Sequence, residues 1–218
     1  MMITKMMDDL AAVRQGAADM GAAAVSLTAR AVTAFKEDDE ELAQEVSDGY
    51  PALVQLNSDL EAQAVRALLL YQPAAEDARM VSTVLESIVH LERIGKNARS
   101  IAETVMALDG QIVIEPFPAI ERMGATAETM VRLAVDGFTH NTVAGFDRLR
   151  ELDDILDAGR RDSYRDATAH IREHSEAVEV YTHYLFVTRY LERMGDHACE
   201  MAGKVAFMVT GDRITIDG

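Results

Sequence analysis

The sequence predicts an all-α fold made of two tandem three-helix bundles related by an internal repeat. Three observations carry this expectation. Residues Leu91–Ala98 read L-E-R-I-G-K-N-A and residues Leu191–Ala198 read L-E-R-M-G-D-H-A, so one motif recurs half a chain length away, and self-similarity at that scale sets architecture. Small and apolar residues follow one another at alternating steps of three and four, the 3.5-residue period of helices packed along a bundle seam. No segment alternates with period two over the length of a strand. The expected division is residues 1–110 as the first three-helix repeat, 111–118 as a linker and 119–218 as the second.

The first helix is expected over about Thr4–Lys36, with Met6, Leu10, Val13, Ala17, Met20, Ala24, Leu27, Ala31 and Ala34 as its seam. The acidic run Glu37–Glu41 marks a turn and the next N-terminus, since acids favour the positive end of a helix dipole. The second helix follows over about Glu40–Tyr71, with Leu42, Val46, Leu53, Leu56, Leu60, Ala64 and Ala67 inward and Pro51 as a possible kink. Gln72-Pro73 breaks the pattern, and proline suits a first helical turn, so the third helix is expected from about Pro73 to Leu108. Its seam is Val81, Val84, Ile88, Leu91, Gly95, Ala98, Ala102 and Val105, and Asp109-Gly110 stops it.

Gln111–Pro118, Q-I-V-I-E-P-F-P, lacks helical period and reads as an extended linker. The fourth helix runs from about Pro118 to Thr139, with Ile120, Met123, Ala127, Met130 and Ala134 inward. The fifth begins near Gly145 and carries Phe146, Leu149, Leu152 and Leu156, with Ala158-Gly159 as a possible interruption before it resumes to about Glu173. The sixth reaches Thr210 on a stripe of Val180, Tyr184, Val187, Leu191, Met194, Ala198, Met201, Val205 and Met208, and Gly211 ends it. No proline marks the boundary between the fifth and sixth helices. Gly95 and Gly195, each followed by alanines, are read as places where a neighbouring helix comes close, despite the roughly 1 kcal/mol propensity cost of glycine against alanine.

Charge narrows the function classes. A formal net charge of −16 in 218 residues repels a nucleic-acid backbone and an anionic membrane face. No apolar run approaches the ~18–20 residues of a membrane span, so direct membrane insertion is not expected. No basic segment followed by an apolar core opens the chain, so no secretory leader is expected. The single Cys199 suits a reducing compartment and has no recognisable catalytic partner.

Residues four apart share a helix face. In the first motif copy Glu92 faces Lys96, an i,i+4 ion pair worth roughly 0.3–0.5 kcal/mol that needs no ligand. In the second, Glu192, Asp196 and Glu200 form one acidic stripe, and Asp153, Asp154 and Asp157 recur on neighbouring turns of the fifth helix. Like charges on one stripe destabilise it. Arg189 and Arg193 are the local cations that offset the repulsion, or a multivalent cation does so; carboxylates favour hard ions such as Mg²⁺, Ca²⁺, Mn²⁺ or ferric iron. Metal, if bound, is therefore expected in the second repeat at these six acids and not at Glu92. An acidic stripe among 37 acids is also what an ordinary solvated face looks like. His170-Ile171-Arg172-Glu173-His174 matches H-x-x-E-H but lacks a third ligand. No histidine has Glu three residues before it, which opposes a di-iron oxidase bundle. No phosphate loop, dinucleotide fingerprint or nucleophile elbow occurs, so no catalytic activity is expected.

Two L-E-R-[IM]-G-x-x-A helices in a tandem three-helix array resemble the PhoU family of phosphate-signalling regulators. Gln72–Arg79, Q-P-A-A-E-D-A-R, is similar to that family's entry to the third helix, and Val205–Gly211 is similar to its C-terminal apolar run closing on T-G. The resemblance spans both halves. It implies two three-helix bundles in a cytoplasmic, non-enzymatic protein. That protein restrains phosphate uptake and phosphate-starvation signalling by contacting a phosphate ABC transporter, through its ATPase, and a sensor histidine kinase. A homodimer is an expected assembly. The family's E-x-x-x-D motif, which holds iron or zinc in some members, corresponds here to Glu192 and Asp196; in the first copy Lys96 replaces the acid. Two other classes stay open at this point: a metal-storage or metal-dependent enzyme on a helical bundle, and a helical adaptor for a different transporter.

Overall fold

A computed structural model describes residues 2–110 and 118–216. The described residues form six α-helices: α1 Met2–Glu37, α2 Glu40–Tyr71, α3 Ala75–Leu108, α4 Pro118–His140, α5 Asp147–Glu173 and α6 Val178–Thr210. No strand occurs among the described residues. The linker expected over Gln111–Pro118 lies outside the described residues, apart from Pro118, which opens α4.

Most of the seam residues read from spacing form the core, whereas Met6, Leu42, Leu56 and Val180 are half-buried and pack against its edge. On α1, every seam residue from Leu10 to Ala34 is buried; on α3, all eight are; on α4, Ile120, Met123, Ala127, Met130 and Ala134 all are. The acidic run after α1 ends that helix and caps the next: the Asp39 carboxylate accepts a hydrogen bond from the Leu42 amide at 2.9 Å. The stops at Asp109 and Gly211 hold too, with φ of 45° and 83°. Glycine at the second adopts the left-handed turn without a side-chain penalty.

Several boundaries differ from the sequence reading. α3 begins at Ala75, two residues after Pro73, because Gln72 takes a left-handed conformation (φ 45°) to close α2 and the chain needs Pro73 and Ala74 to turn. α2 runs unbroken through Pro51, which faces solvent. α5 runs unbroken through Ala158-Gly159: Gly159 is a packing residue, and a Cβ there would come within 2.6 Å of Met123 Cγ. The boundary between α5 and α6 is made without proline. His174 leaves helical geometry (φ −132°, ψ 70°), and a single 3₁₀ turn, Ser175–Ala177, leads into α6.

α1, α2 and α3 pack on one another, as do α4, α5 and α6; the two bundles then join through α3 against α6 and α1 against α4. The join repeats itself. A Cβ on Gly21 would strike Val135, and a Cβ on Gly124 would strike Val32. Gly21 and Gly124 are separated by the same number of residues as Val32 and Val135, so each repeat offers the glycine that the other's valine fills. This is the reciprocity of a twofold interface, realised within one chain. Leu53 and Leu156 keep the same spacing and do the same job inside their own bundles, lying against Gly95 and Gly195 respectively. Phe35 of α1 meets Tyr184 of α6 edge-on at 5.7 Å, and Lys36 reaches Glu121 of α4 at 2.5 Å across the same join.

Candidate functional site

The second motif copy sits on α6 with Leu191, Met194, Gly195 and Ala198 buried. Gly195 lies beneath Leu156 of α5 and Met130 of α4. Seating that face turns the intervening acids outward, toward α5 on one side and α3 on the other.

Glu192 lies against α5, its side chain 17% exposed, and takes Arg160 Nε at 3.2 Å. Asp157 is engaged on its own helix by Arg161 at 3.1 Å. The guanidinium that meets the stripe thus comes from α5; Arg189 and Arg193, expected in that role, are exposed and make no ion pair with it among the described residues. Among the described residues no cation pairs with Asp196. The residue as a whole is open to water, but its carboxyl stands in a cleft wall. Lost hydration, followed by the charges of Glu192, Asp153, Glu200 and Asp157, pushes it up to about 6. Asp154 is exposed on α5 and is not among the acids that raise Asp196. The stripe and α5 therefore bring Asp153, Asp157, Glu192 and Asp196 into one field, with Glu200 at its edge and Asp154 outside.

Glu200 turns toward the other repeat. Its carboxylate stands 3.0 Å from His90 Nδ1 of α3 and 3.6 Å from His197 Nδ1 of its own helix. The two imidazoles lie 5.6 Å apart. Burial lowers both below the usual histidine range; for His197 the neighbouring His90 adds to this, and for both Glu200 opposes it. Beside them a cleft of about 600 Å³ opens between α3, α5 and α6, with the segment after α6 along one wall. Glu86, Asp153, Asp196 and Glu200 give it an acidic lining beside His90, and Lys204 and Arg213 bring the cations. Lys204 pairs with Glu86 at 2.6 Å, and its carbonyl accepts a hydrogen bond from Thr83 at 3.3 Å, so α3 and α6 are tied at this point.

The first motif copy is built differently. The expected Glu92–Lys96 ion pair does not form among the described residues. Glu92 instead accepts a hydrogen bond from the Asn57 amide of α2, and Lys96 faces solvent. The reason is the bundle itself: α2 lies over Glu92 and supplies a nearer donor. Asn57 and Arg160 stand as far apart in the chain as Leu53 and Leu156, so each motif glutamate meets the same position of the preceding helix. That position is a neutral amide in one repeat and a guanidinium in the other.

The H-x-x-E-H pattern does not assemble. His170 lies against the Tyr181 ring at 5.6 Å, while His174 has already left the helix and faces Glu176 at 3.3 Å. Among the described residues the group that brings three metal-ligating atoms together is His90, His197 and Glu200. Sequence reasoning missed the two histidines and Arg160. The signal available was slight: His90 immediately precedes the first motif copy, and His197 stands inside the second.

No described helix is long and apolar enough to cross a membrane. The PhoU domain model matches residues 17–105 and again 120–205, one copy per repeat. A Caulobacter vibrioides protein named phosphate-specific transport system accessory protein PhoU homolog is 30% identical over 212 residues, which is 95% of this chain and 91% of that one. A Methanothermobacter thermautotrophicus protein named as PhoU homolog 1 of the same system is 29% identical over 184 residues, 84% of each chain. Among solved structures, PhoU from Pseudomonas aeruginosa matches with a TM-score of 0.88 at 27% identity, covering 94% of this chain and 99% of that one. A phosphate transport system regulatory protein from Streptococcus pneumoniae shares the fold with a TM-score of 0.85 at 22% identity, covering 96% and 99%.

Proposed function

The chain belongs to the PhoU family, and from that premise we propose that it is a non-enzymatic accessory regulator of phosphate transport, acting in the cytoplasm. In this reading it restrains phosphate uptake and phosphate-starvation signalling by contacting a phosphate ABC transporter, through its ATPase, and a sensor histidine kinase, and it assembles as a homodimer. The observation that carries the reading is coverage. Both repeats match the domain, and a relative named for the phosphate-specific transport system aligns with 95% of the chain. The acidic character of the chain fits a protein that meets a transporter through that transporter's cytosolic parts and not through lipid.

The same reading gives the acids of α5 and α6 a cation: iron or zinc as in the resemblance, or Mg²⁺ or Mn²⁺ from the oxygen donors alone. The residues fit such an ion in part. Asp196, raised to about 6 by lost hydration and then by the charges of neighbouring acids, is a carboxylate whose ionised form a cation would favour. Asp153 would join it, with Asp157 and Glu192 available once Arg161 and Arg160 let go. The ion would supply positive charge to the cleft wall; Asp196 and Asp153 would orient it, and Arg160 would hold Glu192 until it arrives.

Deleting the gene in phosphate-replete cells is expected to raise phosphate uptake or starvation-gene expression, and pull-down from those cells is expected to recover the transporter ATPase or the kinase. Unchanged phosphate handling with a different transporter recovered would replace this reading with that of an adaptor for another system.

A further inference from the structure

Three donor atoms converge where the two repeats meet. His90 Nδ1, contributed by α3, and His197 Nδ1, contributed by α6, both face Glu200 Oε2, at 3.0 and 3.6 Å. Each of the three residues offers a donor atom within 4.8 Å of the other two. The two nitrogens are shut off from water, and neither makes a hydrogen bond of good geometry, although buried polar atoms ordinarily find one. Around a tetrahedral zinc with bonds of about 2.0–2.1 Å, donor atoms stand roughly 3.3 Å apart; the two nitrogen–carboxylate spacings, 3.0 and 3.6 Å, are of that size. We propose that His90, His197 and Glu200 form a site for a single zinc-class divalent cation that fastens α3 of the first repeat to α6 of the second.

The donor set selects the ion. Two imidazoles and one carboxylate suit zinc and its first-row neighbours, whereas Mg²⁺ and Ca²⁺ call for oxygen alone. This separates the site in chemistry from the oxygen-only cluster of Asp153, Asp157, Glu192 and Asp196. Burial also disfavours the protonated form of both imidazoles, and a neutral imidazole has a lone pair to give. The site also breaks the pseudo-twofold. Taking the motif offset of one hundred, the counterparts of His90, His197 and Glu200 are Tyr190, Asn97 and Ser100, which offer no such set. The chain therefore has one site and not two. Three protein donors leave a fourth position for water or an exogenous donor from the cleft that His90 and Glu200 line, the arrangement of an open metal site. Glu86, one turn from His90 and held by Lys204 at 2.6 Å, is the nearest protein group to replace it.

This inference is independent of the phosphate reading. It is tested on the full-length chain, stripped of metal and titrated with Zn²⁺ by calorimetry in excess Mg²⁺, which fills oxygen-only sites. One Zn²⁺ per chain is expected, with a rise in melting temperature. His197→Asn, which installs the residue found at the counterpart position, and His90→Ala are each expected to weaken Zn²⁺ at least tenfold. Asp157→Asn and Glu192→Gln are expected to leave it unchanged. X-ray absorption of the zinc-loaded protein should show imidazole scattering. Metal-free melting curves check that each variant folds; should His90→Ala fail to fold, His197→Asn and Glu200→Gln decide. Absence of Zn²⁺ binding, full affinity in the histidine variants, or loss confined to the Asp157 and Glu192 variants would each overturn the proposal.

Discussion

Asp196 is the residue at which the second repeat departs most from the first. Its counterpart is Lys96, so one position carries opposite charges in the two copies of one motif. Lost hydration and four neighbouring acids raise Asp196 from 3.8 to about 6. A raised acid binds its proton more tightly in the folded state. That contribution to stability is complete below the unfolded value and lost as pH rises through the folded one. Here the window runs from about pH 4 to about pH 6 and just above. At pH 7.5 the ionised group is then a net cost, reduced by solvent screening at an exposed residue to about 1 kcal/mol. Asp196→Asn is expected to raise the melting temperature of metal-free protein at pH 7.5 by roughly 2–4 °C and to change it little at pH 4. Equal effects at the two pH values would mean that the charge is not the cause.

Helix by helix, the inward seams were legible because each is a run of apolar or small side chains at one period. What stayed hidden was the second face of α3. Met80, Thr83, Ser87, Ile94, Asn97, Ile101, Thr104 and Leu108 are all buried and step by three and four around the half-buried His90. Thr83 and His90 reach α6 directly, and Ile101 shares a small cavity with Val187 and Leu191. Half of this stripe is polar, so a hydrophobic pattern passes over it. It becomes a buried face only when another repeat covers it. The same blindness explains why the Glu92–Lys96 pair was expected and Asn57 was not: spacing within one helix says nothing of the helix laid across it. The tie between α5 and α6 has a measurable consequence. Arg160 is half-exposed but Glu192 is mostly covered, so removing the guanidinium leaves a carboxylate with little water beside Asp196. Arg160→Met is expected to destabilise by about 1 kcal/mol, the upper end for such pairs. Adding Glu192→Gln should recover most of it, a coupling that denaturant melts of the single and double variants would measure. No loss in Arg160→Met would show that the pair contributes nothing.

At the scale of the whole molecule, the internal repeat does more than duplicate a bundle; it makes the two copies fit each other. The motif and seams announce the duplication, but the mutual fit rests on Gly21 and Gly124, which look like ordinary weak points in helices of high alanine content. On an open helix face, replacing glycine by alanine stabilises by up to about 1 kcal/mol. At these two positions the sign should reverse. The added methyl would lie 2.8 Å from Val135 Cγ1 in one case and 2.7 Å from Val32 Cγ1 in the other. A β-branched side chain has few rotamers with which to retreat, and overpacking of this kind costs about 1–3 kcal/mol. Gly21→Ala and Gly124→Ala are therefore both expected to destabilise the protein. Reciprocity makes the pattern of rescue specific: Val135→Ala should relieve Gly21→Ala but not Gly124→Ala, and Val32→Ala should relieve Gly124→Ala but not Gly21→Ala. Coupling energies from the four double variants, measured by urea unfolding, read this directly. If either glycine variant proves stabilising, or if both valine changes rescue both glycines alike, the two repeats do not meet face to face through α1 and α4 in the reciprocal way described.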